Sequence, residues 1–135
     1  MPDEAVLDTG VIVAIYFKEE GSMRAKKVAM EHRPITVDLA FAEAGNAAWK
    51  RVAVFGKDKG VIWASLSRCF EYISSCTLIQ ASELADAAFS VAIEDQIAFY
   101  DALFVAASEL KQVPLYTLDK KLYEKIEGKR DVRYV

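Results

Sequence analysis

Four acidic residues, far apart in the chain, stand where chemistry is possible: Asp8, Glu43, Asp101 and Asp119. Asp8 directly follows the short apolar strand predicted at Ala5–Leu7, and Asp119 directly follows the strand predicted at Pro114–Leu118. In open α/β sheets the binding crevice lies at the carboxyl ends of the strands, so these two carboxylates share one edge. Glu43 lies five residues beyond Asp38, roughly 7 Å up the helix that leaves the second strand. It is four residues from Leu39 and four from Ala47, so it shares their apolar face. A carboxylate there points at the core or at a pocket, and burying it unpaired is expensive. Asp101 is placed by chain direction. Its helix runs into the strand at Pro114, which starts at the far edge of a parallel sheet, so the helix begins at the near edge with Asp101 as its first residue.

Four carboxylates about 5 Å apart repel by about 3 kcal/mol per pair at an effective dielectric of 20. A divalent cation removes that cost, and all-oxygen ligation suits Mg2+ or Mn2+. Such a cation lowers the pKa of a bound water, orients a phosphodiester and stabilises the leaving oxygen. Each acid taken alone has a plainer role. Asp8 could cap the helix at Val11, and Asp101 and Asp119 are equally suited to N-caps. Glu43 has no capping role, and the joint placement favours a site.

The elements that carry these acids follow from periodicity and punctuation. Helices are expected at Val11–Phe17, Ser22–Glu31 (with Ser22 as N-cap), Asp38 to about Phe55 (capped by Asp38), Val61–Ile73, Ser82–Ile93, Asp101–Lys111 and Lys120–Glu127, the last closed by Gly128. Strands are expected at Ala5–Leu7, Pro34–Val37, Cys76–Ile79, Pro114–Leu118 and Val132–Val135. This alternation implies a three-layer α/β/α sandwich around a mostly parallel sheet, formed by residues 1–135 as one domain.

Composition narrows the classes. A chain of 135 residues with 53% hydrophobic residues fills one core and leaves apolar surface for an oligomer or partner. The formal net charge of −3 gives no global basic signal for nucleic acid, although local basic patches can act on a negative chain. The longest uninterrupted apolar run, Val11–Phe17, is too short to span a bilayer, and Asp3 and Glu4 stand where a signal peptide carries positive charge. A cytoplasmic location is therefore expected, with Cys69 and Cys76 as buried free thiols. A single histidine, His32, and no cysteine pair at ligand spacing argue against zinc.

Four stretches resemble the motifs of the PIN-domain family. These are Val6-Leu7-Asp8-Thr9-Gly10-Val11-Ile12, Glu43-Ala44-Gly45-Asn46, Tyr100-Asp101-Ala102-Leu103-Phe104-Val105-Ala106-Ala107, and Pro114-Leu115-Tyr116-Thr117-Leu118-Asp119-Lys120-Lys121-Leu122. Each is weak alone; their order and spacing across nearly the whole chain are specific. The resemblance implies a PIN-like fold and a magnesium-dependent endoribonuclease with Asp8, Glu43, Asp101 and Asp119 as catalytic and metal-binding acids. Thr9, Asn46 and Thr117 would support them, the threonines through hydroxyl hydrogen bonds. The small size is similar to VapC toxins, which pair with VapB antitoxins. Glu94, Asp95 and Gln96 crowd the turn before the third motif, where many relatives carry small or apolar residues, so Asp95 is either a surface turn residue or an extra outer-shell acid.

RNA is expected to enter over Lys120 and Lys121, which flank Asp119, and then over Lys50 and Arg51, two turns beyond Glu43. A homodimer that also binds a VapB-like antitoxin across the active-site mouth is what the resemblance implies, and the apolar excess on the helices Ser22–Glu31, Asp38–Phe55 and Val61–Ile73 permits it. Phe17, Met23, Met30, Trp49, Phe55 and Trp63 are the residues at issue: each alone reads as core, together they are many for this length. Three enzymatic rivals are weaker. Asp8-Thr9-Gly10 resembles an aspartic-protease turn, which needs a second such aspartate on an all-β scaffold. A haloacid-dehalogenase-type phosphatase needs an acid at position 10, which is glycine, and a phosphate-binding loop with Lys-Ser/Thr is absent. The remaining alternative is a catalytically silent PIN-like module used for protein binding.

Overall fold

In a computed structural model, which describes residues 2–135, twelve elements alternate along the chain. They are β1 (Glu4–Leu7), α1 (Thr9–Tyr16), α2 (Ser22–Glu31), β2 (Arg33–Val37), α3 (Leu39–Ala53), α4 (Lys59–Ser75), β3 (Thr77–Ile79), α5 (Ala81–Asp95), α6 (Phe99–Lys111), β4 (Leu115–Thr117), α7 (Lys120–Ile126) and β5 (Val132–Tyr134). The strands form one sheet in the order β3-β2-β1-β4-β5, and every pairing is parallel. The expected three-layer α/β/α architecture is therefore present, and the chain direction reverses its march across the sheet at β1.

Period-2 alternation divides the core. Val6 faces a cluster built with Ile35, Val37, Leu115 and the buried faces of α5, α6 and α7. Leu7 faces the opposite cluster, with Val11, Ile12, Ala40, Ala44, Cys69 and Ile73 from α1, α3 and α4. Helix α6 buries seven consecutive residues, Ala102–Ser108, because it lies across the sheet beneath α5. A parallel strand covered on both faces reads as a continuous apolar run, as Ala5-Val6-Leu7 does.

The helix ends differ from expectation in physically instructive ways. Ser22 is not the cap of α2; Gly21 holds the N-cap position at φ 87°, a left-handed conformation that glycine adopts without a Cβ penalty. Asp38 occupies the N-cap position of α3 but caps nothing there, since its carboxylate accepts from the Ala81 amide at 2.9 Å and ties the start of α5 to α3. Helix α6 begins at Phe99, so Asp101 is its third residue and not its first, and β4 ends at Thr117, with Leu118 intervening before Asp119.

Asp95 is neither a surface turn residue nor an outer-shell acid. It is buried at the end of α5 and forms a two-pronged ion pair with Arg130, whose Nε and Nη2 donate at 2.8 and 3.0 Å. The guanidinium also holds Glu109 at 2.9 Å, so the last turn of α5, helix α6 and the segment entering β5 are pinned together. Cys69 and Cys76 are buried free thiols, as expected. Of the six apolar residues at issue only Phe17 is core; Met23, Met30, Trp49, Phe55 and Trp63 are all at least 59% exposed.

Candidate active site

The crevice sits where β1 and β4 end. Asp8 leaves β1 and serves as N-cap of α1, its Oδ1 accepting from the Val11 amide at 3.1 Å. Asp119 serves likewise for α7, its Oδ1 accepting from Leu122 at 3.0 Å. The capping reading and the site reading are thus compatible: each cap uses one carboxylate oxygen. Asp101 lies in the first turn of α6. Three helix N-termini therefore carry acids, where the partial positive charge of the helix end favours anions.

The supporting threonines are in place. Thr9, buried, donates its hydroxyl to Glu43 Oε1 at 2.7 Å, which ties the start of α1 to α3 and orients the glutamate. Thr117, fully buried, accepts from the Asp119 amide at 3.0 Å and also acts on the Asp8 carboxylate, holding its pKa down. Thr36 has a positioning role that sequence reasoning did not find. It donates to the Leu7 carbonyl at 2.8 Å and fixes the end of β1 immediately before Asp8. Only the pairing of β2 with β1 reveals that contact.

Crowding shows in the titration of the two central acids. Burial pushes the Asp8 carboxyl up to about 7, with Asp101 and Glu43 adding like-charge repulsion, against the hydrogen bonds from Thr117 and Val11. Burial likewise pushes Asp101 up to about 6, with Asp119 and Glu43 repelling it and no hydrogen bond opposing them. The four acids predicted from separate segments are thus one electrostatic group. Among the described residues, however, no three His, Cys, Asp or Glu side chains converge tightly enough to hold one cation by themselves. The donor chemistry is all oxygen, which fits a hard divalent cation that keeps several waters and takes one or two carboxylates.

The other predicted residues divide. Asn46 lines a groove of about 600 Å³ together with Glu43, Lys50 and Tyr100. Lys121 lines a smaller hollow of about 220 Å³ with Asp101 and Asp119; Lys120 is exposed beside it on α7 but does not line it. Arg51 is engaged elsewhere, paired with Glu19 at 2.6 Å and stacked over Phe17 at 4.5 Å. Tyr100, 60% exposed beside Asp101, was missed as a separate feature; an exposed aromatic adjoining a catalytic-type acid was the available signal.

An all-parallel α/β sheet with acids gathered at its carboxyl edge places them where open α/β folds bind their ligands, and excludes the all-β protease reading. The chain belongs to the PIN-domain family, whose model matches residues 5–128. It is 31% identical to "Ribonuclease VapC3" of Pyrobaculum aerophilum, over 89% of this chain and 92% of that one. It is 29% identical to "Exonuclease VapC9" of the same organism, over 98% of this chain and 92% of its relative. Its fold matches a toxin–antitoxin complex from Klebsiella pneumoniae at a TM-score of 0.72 and 17% identity, covering 96% of each chain. No helix among the described residues is long and apolar enough to cross a membrane.

Proposed function

We propose that this protein is a Mg2+- or Mn2+-dependent endoribonuclease acting as the toxin of a toxin–antitoxin pair. The carrying observation is the electrostatic group of Asp8, Glu43, Asp101 and Asp119, drawn from four segments to one edge, where burial first and mutual repulsion second hold Asp8 and Asp101 above the ordinary carboxylate range. The nuclease names of the two relatives support the same reading.

Asp8 and Asp101 would be the principal metal ligands in this proposal, and Glu43 and Asp119 would complete the inner or outer shell. The bound cation would activate water for attack on an RNA phosphodiester and neutralise the developing charge. The chain's own contribution is positional. Thr9 holds Glu43, Thr117 holds Asp8 and the loop to Asp119, and the helix caps fix Asp8 and Asp119, so the acids meet the metal without reorganisation. The family resemblance gives a 5′-phosphate and a 3′-hydroxyl as products.

A VapB-like antitoxin is the proposed partner, by analogy with the toxin–antitoxin complex that shares the fold. An apolar groove of about 280 Å³ between α3 and α4, lined by Ala48, Trp49, Ile62, Trp63 and Leu66, is its proposed seat.

The purified protein incubated with RNA should cut it in Mg2+ or Mn2+ and stop in excess EDTA. Asp101→Asn should lower the rate by at least about a hundredfold, the scale of losing one oriented catalytic group. Internal 5′-phosphate ends establish endonucleolytic cleavage, whereas release of mononucleotides from one end establishes an exonuclease. Full activity in EDTA or in the variant rejects the metal site, and absence of cleavage on any RNA leaves the protein-binding module.

A further inference from the structure

Beside the acids lies a second cleft of opposite charge. It is formed by the end of α1, the last turn of α3 and the start of α4, has a volume of about 700 Å³, and is lined by Lys18, Lys50, Arg51 and Lys57 together with Tyr16 and Phe55. None of its lining residues is acidic. In a chain of net charge −3 this is a local inversion. Arg51 is answered by Glu19, but Lys18, Lys50 and Lys57 make no ion pair with any described residue.

The cleft is continuous with the active site. Ala47 and Lys50 line both it and the groove that holds Glu43, Asn46 and Tyr100. Lys50 is seven residues beyond Glu43 on α3, about 10 Å along the axis, or roughly three nucleotide spacings of a stacked strand. Two aromatic rings mark the path: Tyr100 is 60% exposed at its start and Phe55 is 61% exposed at its end, with the Lys50 ammonium 5.8 Å from the Phe55 ring centre. Unpaired cations alternating with exposed rings form the pattern that holds single-stranded nucleic acid, by phosphate attraction and base stacking.

We propose that single-stranded RNA leaves the acids over Tyr100, passes Lys50, and seats its phosphates on Lys18 and Lys57 with a base against Phe55. The substrate is thereby restricted to unpaired segments, because a duplex hides the base faces that the two rings need. The inference rests on the ribonuclease reading above.

The test uses the full chain carrying Asp101→Asn, so that RNA is bound and not cut, and measures affinity for a single-stranded trinucleotide and nonanucleotide over a series of salt concentrations. The nonanucleotide should bind more tightly and with the steeper salt dependence. Adding Lys18→Ala and Lys57→Ala should reduce the slope of log affinity against log salt by about 1.4, two contacts at about 0.7 each. Adding Phe55→Ala should weaken binding roughly tenfold with the slope unchanged, as loss of stacking does. An unchanged slope in the lysine variant, or duplex RNA competing as well as the single strand, overturns the cleft while leaving the nuclease reading intact. If the unmodified protein neither binds nor cuts RNA, both readings fall.

Discussion

Asp8 carries the clearest residue-scale consequence of the site. Its carboxyl is pushed up to about 7 in the fold, against 3.8 for an isolated aspartate. A carboxyl raised by folding contributes stability that is fully present below the unfolded value and is lost as pH rises through the folded value. The metal-free protein should therefore be less stable at pH 8 than at pH 5, by roughly 2–3 kcal/mol from Asp8 alone, and melt at a lower temperature. Asp8→Asn should abolish cleavage and reduce this slope to the smaller share that Asp101 supplies, and Mg2+ should reduce it in the unmodified protein. Thermal melting across that range in EDTA and in Mg2+ checks both, and an unchanged slope in Asp8→Asn would rule out Asp8 as its source. Asp95 behaves in the opposite sense. Its hydrogen bonds from Arg130 hold its pKa down, so its contribution is present above the ordinary carboxylate range and is lost only in acid. Because it is buried, Asp95→Asn should cost roughly 2–4 kcal/mol by removing the buried charge partner of Arg130 and leaving it only the more exposed Glu109 and Glu94, and Asp95→Leu with Arg130→Met should recover most of that loss. Denaturant titration of the two variants beside the unmodified protein measures it.

Between elements, the site depends on ties that cross from one helix or strand to the next. The Thr9–Glu43 hydrogen bond joins α1 to α3 across 34 residues of chain. Thr9→Val keeps the shape and β-branching but removes the donor. It should leave the melting temperature within a few degrees, because Glu43 is only partly buried, yet lower cleavage about tenfold by freeing the glutamate to turn. Thr9→Ser should restore most of the rate. A Thr9→Val enzyme with full activity would show that Glu43 needs no orientation.

At the scale of the molecule, one group of exposed apolar residues lies on the α3–α4 hairpin. Trp49, Val54, Val61 and Trp63 are each 57–64% exposed, a density that marks interaction surface. The protein should be a homodimer or, with its antitoxin, a larger complex. Light scattering at micromolar concentration and co-purification with a co-expressed VapB-like antitoxin check this. Trp49→Glu with Trp63→Glu should abolish antitoxin capture while leaving the fold intact by circular dichroism. A monomer whose toxicity no co-expressed partner relieves would instead identify a free-standing nuclease.

Much of the arrangement is decided along the chain itself. The parallel α/β class follows from apolar strands alternating with amphipathic helices, and the edge that holds Asp8 and Asp119 follows from their position just after strands, because polarity along a parallel strand is fixed by sequence direction. Glu43 is legible as a mid-helix acid on an apolar face, and Thr9 as the neighbour of Asp8 in the first motif. Tertiary structure alone decides the rest. That Asp95 is a buried partner of Arg130 depends on contact across 35 residues, which no local pattern reports. The release of Lys18, Lys50 and Lys57 from ion pairing, while Arg51 is consumed by Glu19, depends on which side chains meet in space. The exposure of Trp49, Phe55 and Trp63 depends on which faces of α3 and α4 find neighbours in the folded chain. Period and polarity set which face of an element is apolar; only packing sets whether that face is covered, because burial is a property of the neighbour as much as of the residue.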